Sequence, residues 1–229
     1  MPIRLIIFDC DGVLIDSEAL CDRVISACLA EQGWPITPAE CHHRFLGLTF
    51  PDIQIAAEAH LGRPLDTAPN TTWVATVVDR VTRLMADEVE PIPGAREALL
   101  GVRALGLPYR IASNSSRLEM AAKFNRTGLL PLVEDAIHSA YDLIAQGLLG
   151  KPAPDLFLAA AQAGGANPSD CLVIEDSLAG ITAAVAAGMP CWAYCPDNEG
   201  AHLRQAGAEP FHSMYSLPAL IQHRLAAEP

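Results

Sequence analysis

The sequence predicts a doubly wound parallel α/β sheet with an all-helical segment inserted directly after its first strand. Short apolar runs at Arg4–Phe8, Tyr109–Ala112, Cys171–Ile174 and Cys191–Tyr194 are each followed by turn residues and then a helical pattern. Strands that alternate with helices imply a parallel sheet, and their continuous apolarity implies cover on both faces. Residues 15–90 break this rhythm, with helical periodicity and no strand. The 229 residues suffice for one core and a modest insert. The expected division is a core of residues 1–14 and 91–229 with a helical unit of residues 15–90.

Taken in order, Arg4–Phe8 supplies the first strand. In the insert, Leu20, Val24 and Cys28 repeat every four residues, as do Cys21, Ile25 and Leu29, giving one broad apolar helix face. Thr37-Pro38-Ala39-Glu40 is a helix start, with a capping residue, a proline suited to the first turn and a glutamate able to close a capping box. Another helix is expected from near Thr72 to Asp87, with Val74, Val77, Val81 and Leu84 on one face. Pro91 and Pro93-Gly94 mark the return to the alternating pattern. A weaker strand is expected near Ala136–His138, and a helix over Ala153–Gly164.

Hydrophobic residues make up 51% and charged residues 18%, the reverse of a disordered composition. Fifteen basic against twenty-seven acidic residues give a net charge of −12. A field of that sign repels nucleic acid and anionic membranes, so any anion site must be built locally. The apolar run after Arg4 ends at Asp9, too short for a secretory signal. The stretch from Ala183 to Cys195 is broken by Gly188 and Pro190 and is too short to span a membrane. Seven cysteines with no C-x-x-C pair read as reduced, mostly buried residues. A cytoplasmic protein, monomeric or weakly dimeric, is expected.

Chemistry concentrates where strands end, which is where a doubly wound sheet binds ligands. The first strand runs into Asp9-Cys10-Asp11-Gly12-Val13, a pair of acids suited to a hard cation such as Mg²⁺, one of which can also attack phosphorus. Standing alone, the same residues describe a solvated turn. The strand at Tyr109–Ala112 runs into Ser113-Asn114-Ser115-Ser116 and a helix, an anion site or a plain cap. Gly150-Lys151-Pro152 places a fixed point charge before the next helix. The strand at Cys171–Ile174 ends in Glu175-Asp176-Ser177, adjacent acids whose repulsion argues for a metal.

In this order the motifs resemble the haloacid dehalogenase superfamily in its phosphatase branch, whose fold is a Rossmann-like sheet with a cap. Asp16-Ser17-Glu18, Pro93-Gly94 and Lys151-Pro152-Ala153-Pro154-Asp155 are similar to the subgroup containing β-phosphoglucomutase and small sugar-phosphate phosphatases, closest to 6-phosphogluconate phosphatase-like proteins. The resemblance implies that Asp9 is a nucleophile forming an aspartyl phosphate and that Asp11 is the acid–base. It implies Mg²⁺ on Asp9, Asp176 and the Asp11 carbonyl, with Glu175 as a helper. Ser113, Asn114 and Lys151 would hold a small phosphorylated metabolite. Asp11 also stands where dehalogenases of the fold lack a second aspartate.

Two departures bear on the reaction. Where mutases of the subgroup carry a segment resembling Lys-Gly-x-Ser-Arg, this chain has Leu46-Gly47-Leu48-Thr49-Phe50. Cys21 stands at a mutase histidine. Both favour hydrolysis over isomerisation, with Arg44 as a candidate contact for a substrate anion. Adjacent His42 and His43 point about 100° apart on a helix and make a poor chelating pair. A phosphoaspartate receiver domain is the competing class, and the long helical insert argues against it.

Overall fold

The computed structural model describes residues 3–45, 48, 50–144, 146–196 and 200–227. Six parallel strands form one sheet: β1 (Leu5–Phe8), β2 (Tyr109–Ser113), β3 (Ile137–Ser139), β4 (Cys171–Glu175), β5 (Cys191–Tyr194) and β6 (Glu209–Phe211). Their order is β3-β2-β1-β4-β5-β6. The sheet is therefore built outward in both directions from β1, and the direction of winding changes between β1 and β4. All four residues of β1 and all five of β4 are buried, as strands covered on both faces must be.

Successive side chains of a strand point to opposite faces. Leu5 and Ile7 of β1 join Cys171 and Val173 of β4 in one apolar cluster. The helices Asp155–Ala163 and Leu178–Ala186 close that cluster, the first packing on β1 and β2, the second on β4 and β5. The helices Ala95–Ala104 and Leu217–Ala226 pack on each other. The strand β6 was not anticipated. It has three residues including Pro210 and, among the described residues, pairs with β5 alone, the edge position at which a sheet tolerates proline.

The chain divides into two compact units, Met1–Ile15 with Glu90–Pro229, and Asp16–Val89. Among its described residues the second has no strand apart from the boundary residue Asp16 of a two-residue strand, and its helices are Glu18–Glu31, Pro38–Phe45, Phe50–Leu61 and Trp73–Glu88. The capping box at Thr37 forms, with Glu40 N–H donating to Thr37 Oγ1 at 3.2 Å and Thr37 N–H donating to Glu40 Oε2 at 2.9 Å. Thr72 caps the last helix by accepting from Ala75 N–H at 3.1 Å. Val24, Cys28, Ile53, Trp73 and Val77 lie in this unit's own core. No helix among the described residues is long and apolar enough to cross a membrane, and all seven cysteines are free.

Candidate active site

The chain leaves β1 through a tight turn. Leu14 and Ile15 N–H both donate to the Cys10 carbonyl at 2.9 Å, and Gly12 N–H donates to the Ile15 carbonyl at 2.8 Å. Gly12 has φ +76°, and a Cβ there would run into the Asp176 carboxylate. Glycine alone fits both demands, and the turn sets Asp9 and Asp11 at the carboxyl edge of the sheet. Asp9 is 8% exposed.

Lys151 Nζ lies between two carboxylates, 2.8 Å from Asp9 Oδ1 and 2.6 Å from Glu175 Oε1, with its charge 4.8 Å from the Phe157 ring centroid. One buried cation against two acids leaves net negative charge away from water. Burial pushes the Asp9 carboxyl up to about 7 against the pull of Lys151, and Glu175 and Asp11 push in the same direction. Burial works against the Lys151 charge, and Asp9 and Glu175 outweigh it, so its pKa is raised. Glu175 Oε2 is already satisfied, accepting from Asp176 and Ser177 N–H and the Ser177 hydroxyl at 2.9–3.0 Å. Asn114 spends both ends of its amide on the main chain of Lys151, accepting from its N–H at 2.9 Å and donating to its carbonyl at 3.1 Å.

Asp11 has partners that the sequence reading did not find. Lys123 Nζ lies 2.7 Å from Oδ1, and Ser115 Oγ donates to Oδ2 at 2.9 Å. Ser115 N–H in turn donates to Ser113 Oγ at 3.0 Å. A signal existed: Lys123 shares a helix face with the buried Met120 and Phe124, and a lysine on an apolar face needs a partner.

Asp9, Asp11, Ser113, Asn114 and Lys151 line one cavity of about 320 Å³. Asp176 joins Asp9 and Glu175 in a group in which one carboxylate oxygen from each lies within 4.8 Å of the others. Arg44 belongs to the helical unit, where its guanidinium sits 5.5 Å from the Trp34 ring centroid. His42 Nδ1 pairs with Asp22 Oδ2 at 3.0 Å. Of the segment compared with the mutases, Leu46, Gly47 and Thr49 lie outside the described residues.

Residues 3–188 match the model of the haloacid dehalogenase-like hydrolases. The chain belongs to this family. It is 30% identical over 223 residues to 6-phosphogluconate phosphatase of Escherichia coli K12, covering 97% of this chain and 96% of that protein. It is 33% identical over 184 residues to hexitol phosphatase B of the same strain, covering 80% of this chain and 79% of the other. A solved haloacid dehalogenase family hydrolase from Deinococcus radiodurans, with bound phosphate and sodium, superposes with a TM-score of 0.84 at 32% identity, covering 98% of this chain and 97% of that one.

The acidic group of this family member suits a hard divalent cation, since Asp9 and Asp176 offer carboxylate oxygens alone, whereas both Glu175 oxygens are engaged by Lys151 and the start of the following helix. The close approach at Gly12 keeps that set compact. Gly12→Ala is expected to cost about 1–3 kcal/mol from its left-handed backbone and to displace Asp176. Thermal unfolding and phosphate-release assays should show both losses, and an unshifted melting temperature would contradict the account of the turn.

Proposed function

We propose that this phosphatase hydrolyses a small sugar or sugar-acid phosphate monoester through an aspartyl phosphate on Asp9. The observation that carries the reading is the buried Asp9–Lys151 pair at the wall of a polar cavity that also presents Ser113 and Asp11. Asp9, Asp176 and the Asp11 main-chain carbonyl would hold Mg²⁺, which supplies charge neutralisation between an anionic nucleophile and an anionic phosphate. Phosphoryl transfer needs little beyond positioning and such neutralisation.

An Asp9 carboxylate oxygen attacks phosphorus, and the bond to the ester oxygen breaks with its electrons staying on that oxygen. Asp11 donates the proton that lets it leave as an alcohol. Asp11, now ionised, takes a proton from water as the water oxygen attacks the aspartyl phosphate, freeing Asp9 and inorganic phosphate. Ser113 and Lys151 hold the phosphoryl oxygens, Asn114 fixes the Lys151 main chain, and Glu175 orients its ammonium. The helical unit serves as the cap. The Escherichia coli relatives named for a sugar acid and for hexitols support the substrate class.

Hydrolysis is preferred to isomerisation on the chemistry of three cap positions. A mutase must retain a bisphosphate, and charge-assisted hydrogen bonds worth about 1.5–3 kcal/mol each do that work. Leu46 and Phe50 offer none, and Cys21 offers no imidazole. Losing one such bond weakens retention by about one to two decades at about 1.4 kcal/mol per decade.

The test is a panel of sugar, sugar-acid and polyol monophosphates, read as phosphate release. In parallel, conversion of β-glucose 1-phosphate to glucose 6-phosphate is followed with bisphosphate activator. Phosphate release should dominate, should disappear in excess EDTA and should return with Mg²⁺. Undiminished release in chelator would remove the metal from the reading. Efficient isomerisation with little phosphate release would overturn hydrolysis, and Arg44 would then be the first cationic contact to examine.

A further inference from the structure

We propose that Lys123 is the positioning residue for Asp11, forming with Ser115 a two-point clamp that fixes the plane and direction of its carboxylate. The inference rests on the reading of Asp11 as proton donor and assigns a role to a buried cation that the reaction as written does not use. Lys123 is 6% exposed on the helix Arg117–Arg126, and buried lysines are rare unless paired. Its Nζ lies 2.7 Å from Asp11 Oδ1, and Ser115 Oγ, 2.9 Å from Oδ2, is itself 3.3 Å from the same Nζ.

The clamp is anchored to the sheet. The Ser115 carbonyl accepts from Ser139 Oγ at 2.7 Å, and Ser139, at the end of β3, is 1% exposed. Two side chains, 104 and 112 residues away in sequence, thus converge on one carboxylate. A carboxylate has about four lone-pair sites. The two donors engage one on each oxygen, which fixes rotation about the last side-chain bond and leaves sites for the leaving oxygen and for water. Asp11 remains 29% exposed at the cavity. Phosphoryl transfer to Asp9 expels an alkoxide, which needs the Asp11 proton, or a p-nitrophenolate, a stable anion that leaves without one. Misplacing Asp11 therefore penalises only the first kind of ester.

The experiment compares kcat/KM, which reports steps up to leaving-group expulsion, for p-nitrophenyl phosphate and for the alkyl phosphate turned over fastest in the panel above. Lys123→Met should lower the alkyl value by about 10–100-fold, the scale of a 1 Å misplacement. The aryl value should stay close to that of the wild type, because its leaving group needs no proton. Lys123→Arg should restore most of the loss. Asp11→Asn should show the same skew more strongly, and adding Lys123→Met to it should change nothing further, as for two residues acting through one group. Equal losses on both esters, or an additive double variant, would reduce Lys123 to a structural ion pair. Skew in Asp11→Asn without skew in Lys123→Met overturns this proposal alone. No skew in Asp11→Asn overturns the donor role of Asp11 and the proposal with it. If Lys123→Met does not fold, Ser115→Ala removes the other arm and should skew the ratio in the same direction; an unchanged ratio there is equally decisive against the clamp.

Discussion

Asp9→Asn is expected to abolish phosphate release while leaving the protein folded. The substitution keeps the size of the side chain and replaces the carboxylate proposed as nucleophile by an amide that does not attack phosphorus. A loss on the order of 10⁶-fold is the scale for removing a covalent nucleophile. Stability should move the other way. Lys151 faces both Asp9 and Glu175, so the variant retains one buried carboxylate for one buried ammonium. Burial pushes the Asp9 carboxyl up from 3.8 to about 7. Between those values the folded, metal-free protein holds a proton that the unfolded chain has released, so this group lowers stability as pH rises from about 4 to 7. Asp9→Asn should flatten that slope and melt higher than the metal-free wild type at pH 8. Measurable turnover, or a lower melting temperature at pH 8, would count against Asp9 as nucleophile or against the charge balance drawn around it.

That balance was only partly legible in the sequence. The strands β1, β2, β4 and β5 stand out as apolar runs because both faces are covered, and their carboxyl ends necessarily gather Asp9, Ser113, Glu175 and Asp176. Lys151 was legible as a charge near phosphate, because glycine and proline flank it. Its pairing with Glu175 was not, because the acid on the next strand reads equally well as a metal ligand until the network at Oε2 is seen. Asn114 is a similar case: its place beside Ser113 suggests a phosphate contact, whereas its amide is spent on the Lys151 main chain. Lys123 was missed because its partner lies 112 residues away and exposed lysines on helices are common. The edge strand β6 was missed for a different reason. Glu209-Pro210-Phe211 has no alternation and carries a residue that weakens any strand prediction.

Lys151→Met is expected to damage stability and catalysis together, and a second substitution should separate them. Lys151 Nζ is the cation shown bonded to both Asp9 and Glu175. Without it two buried carboxylates face each other, and breaking a buried pair typically costs about 3–5 kcal/mol. Glu175 cannot turn to solvent for relief, since it is 0% exposed and its other oxygen is held by the start of the following helix. Adding Glu175→Gln to Lys151→Met removes one of the two stranded charges and keeps an amide oxygen for the N–H groups of Asp176 and Ser177. Much of the lost stability should return, because a buried ion pair exchanged for neutral groups of similar volume is often tolerated. Activity should not return, because the phosphoryl oxygens would still lack a positive charge on that side. Denaturant unfolding and phosphate release on the two variants read the components separately. Recovered turnover in the double variant would show that Lys151 serves only to balance Glu175, and the phosphate-binding role assigned to it would fail.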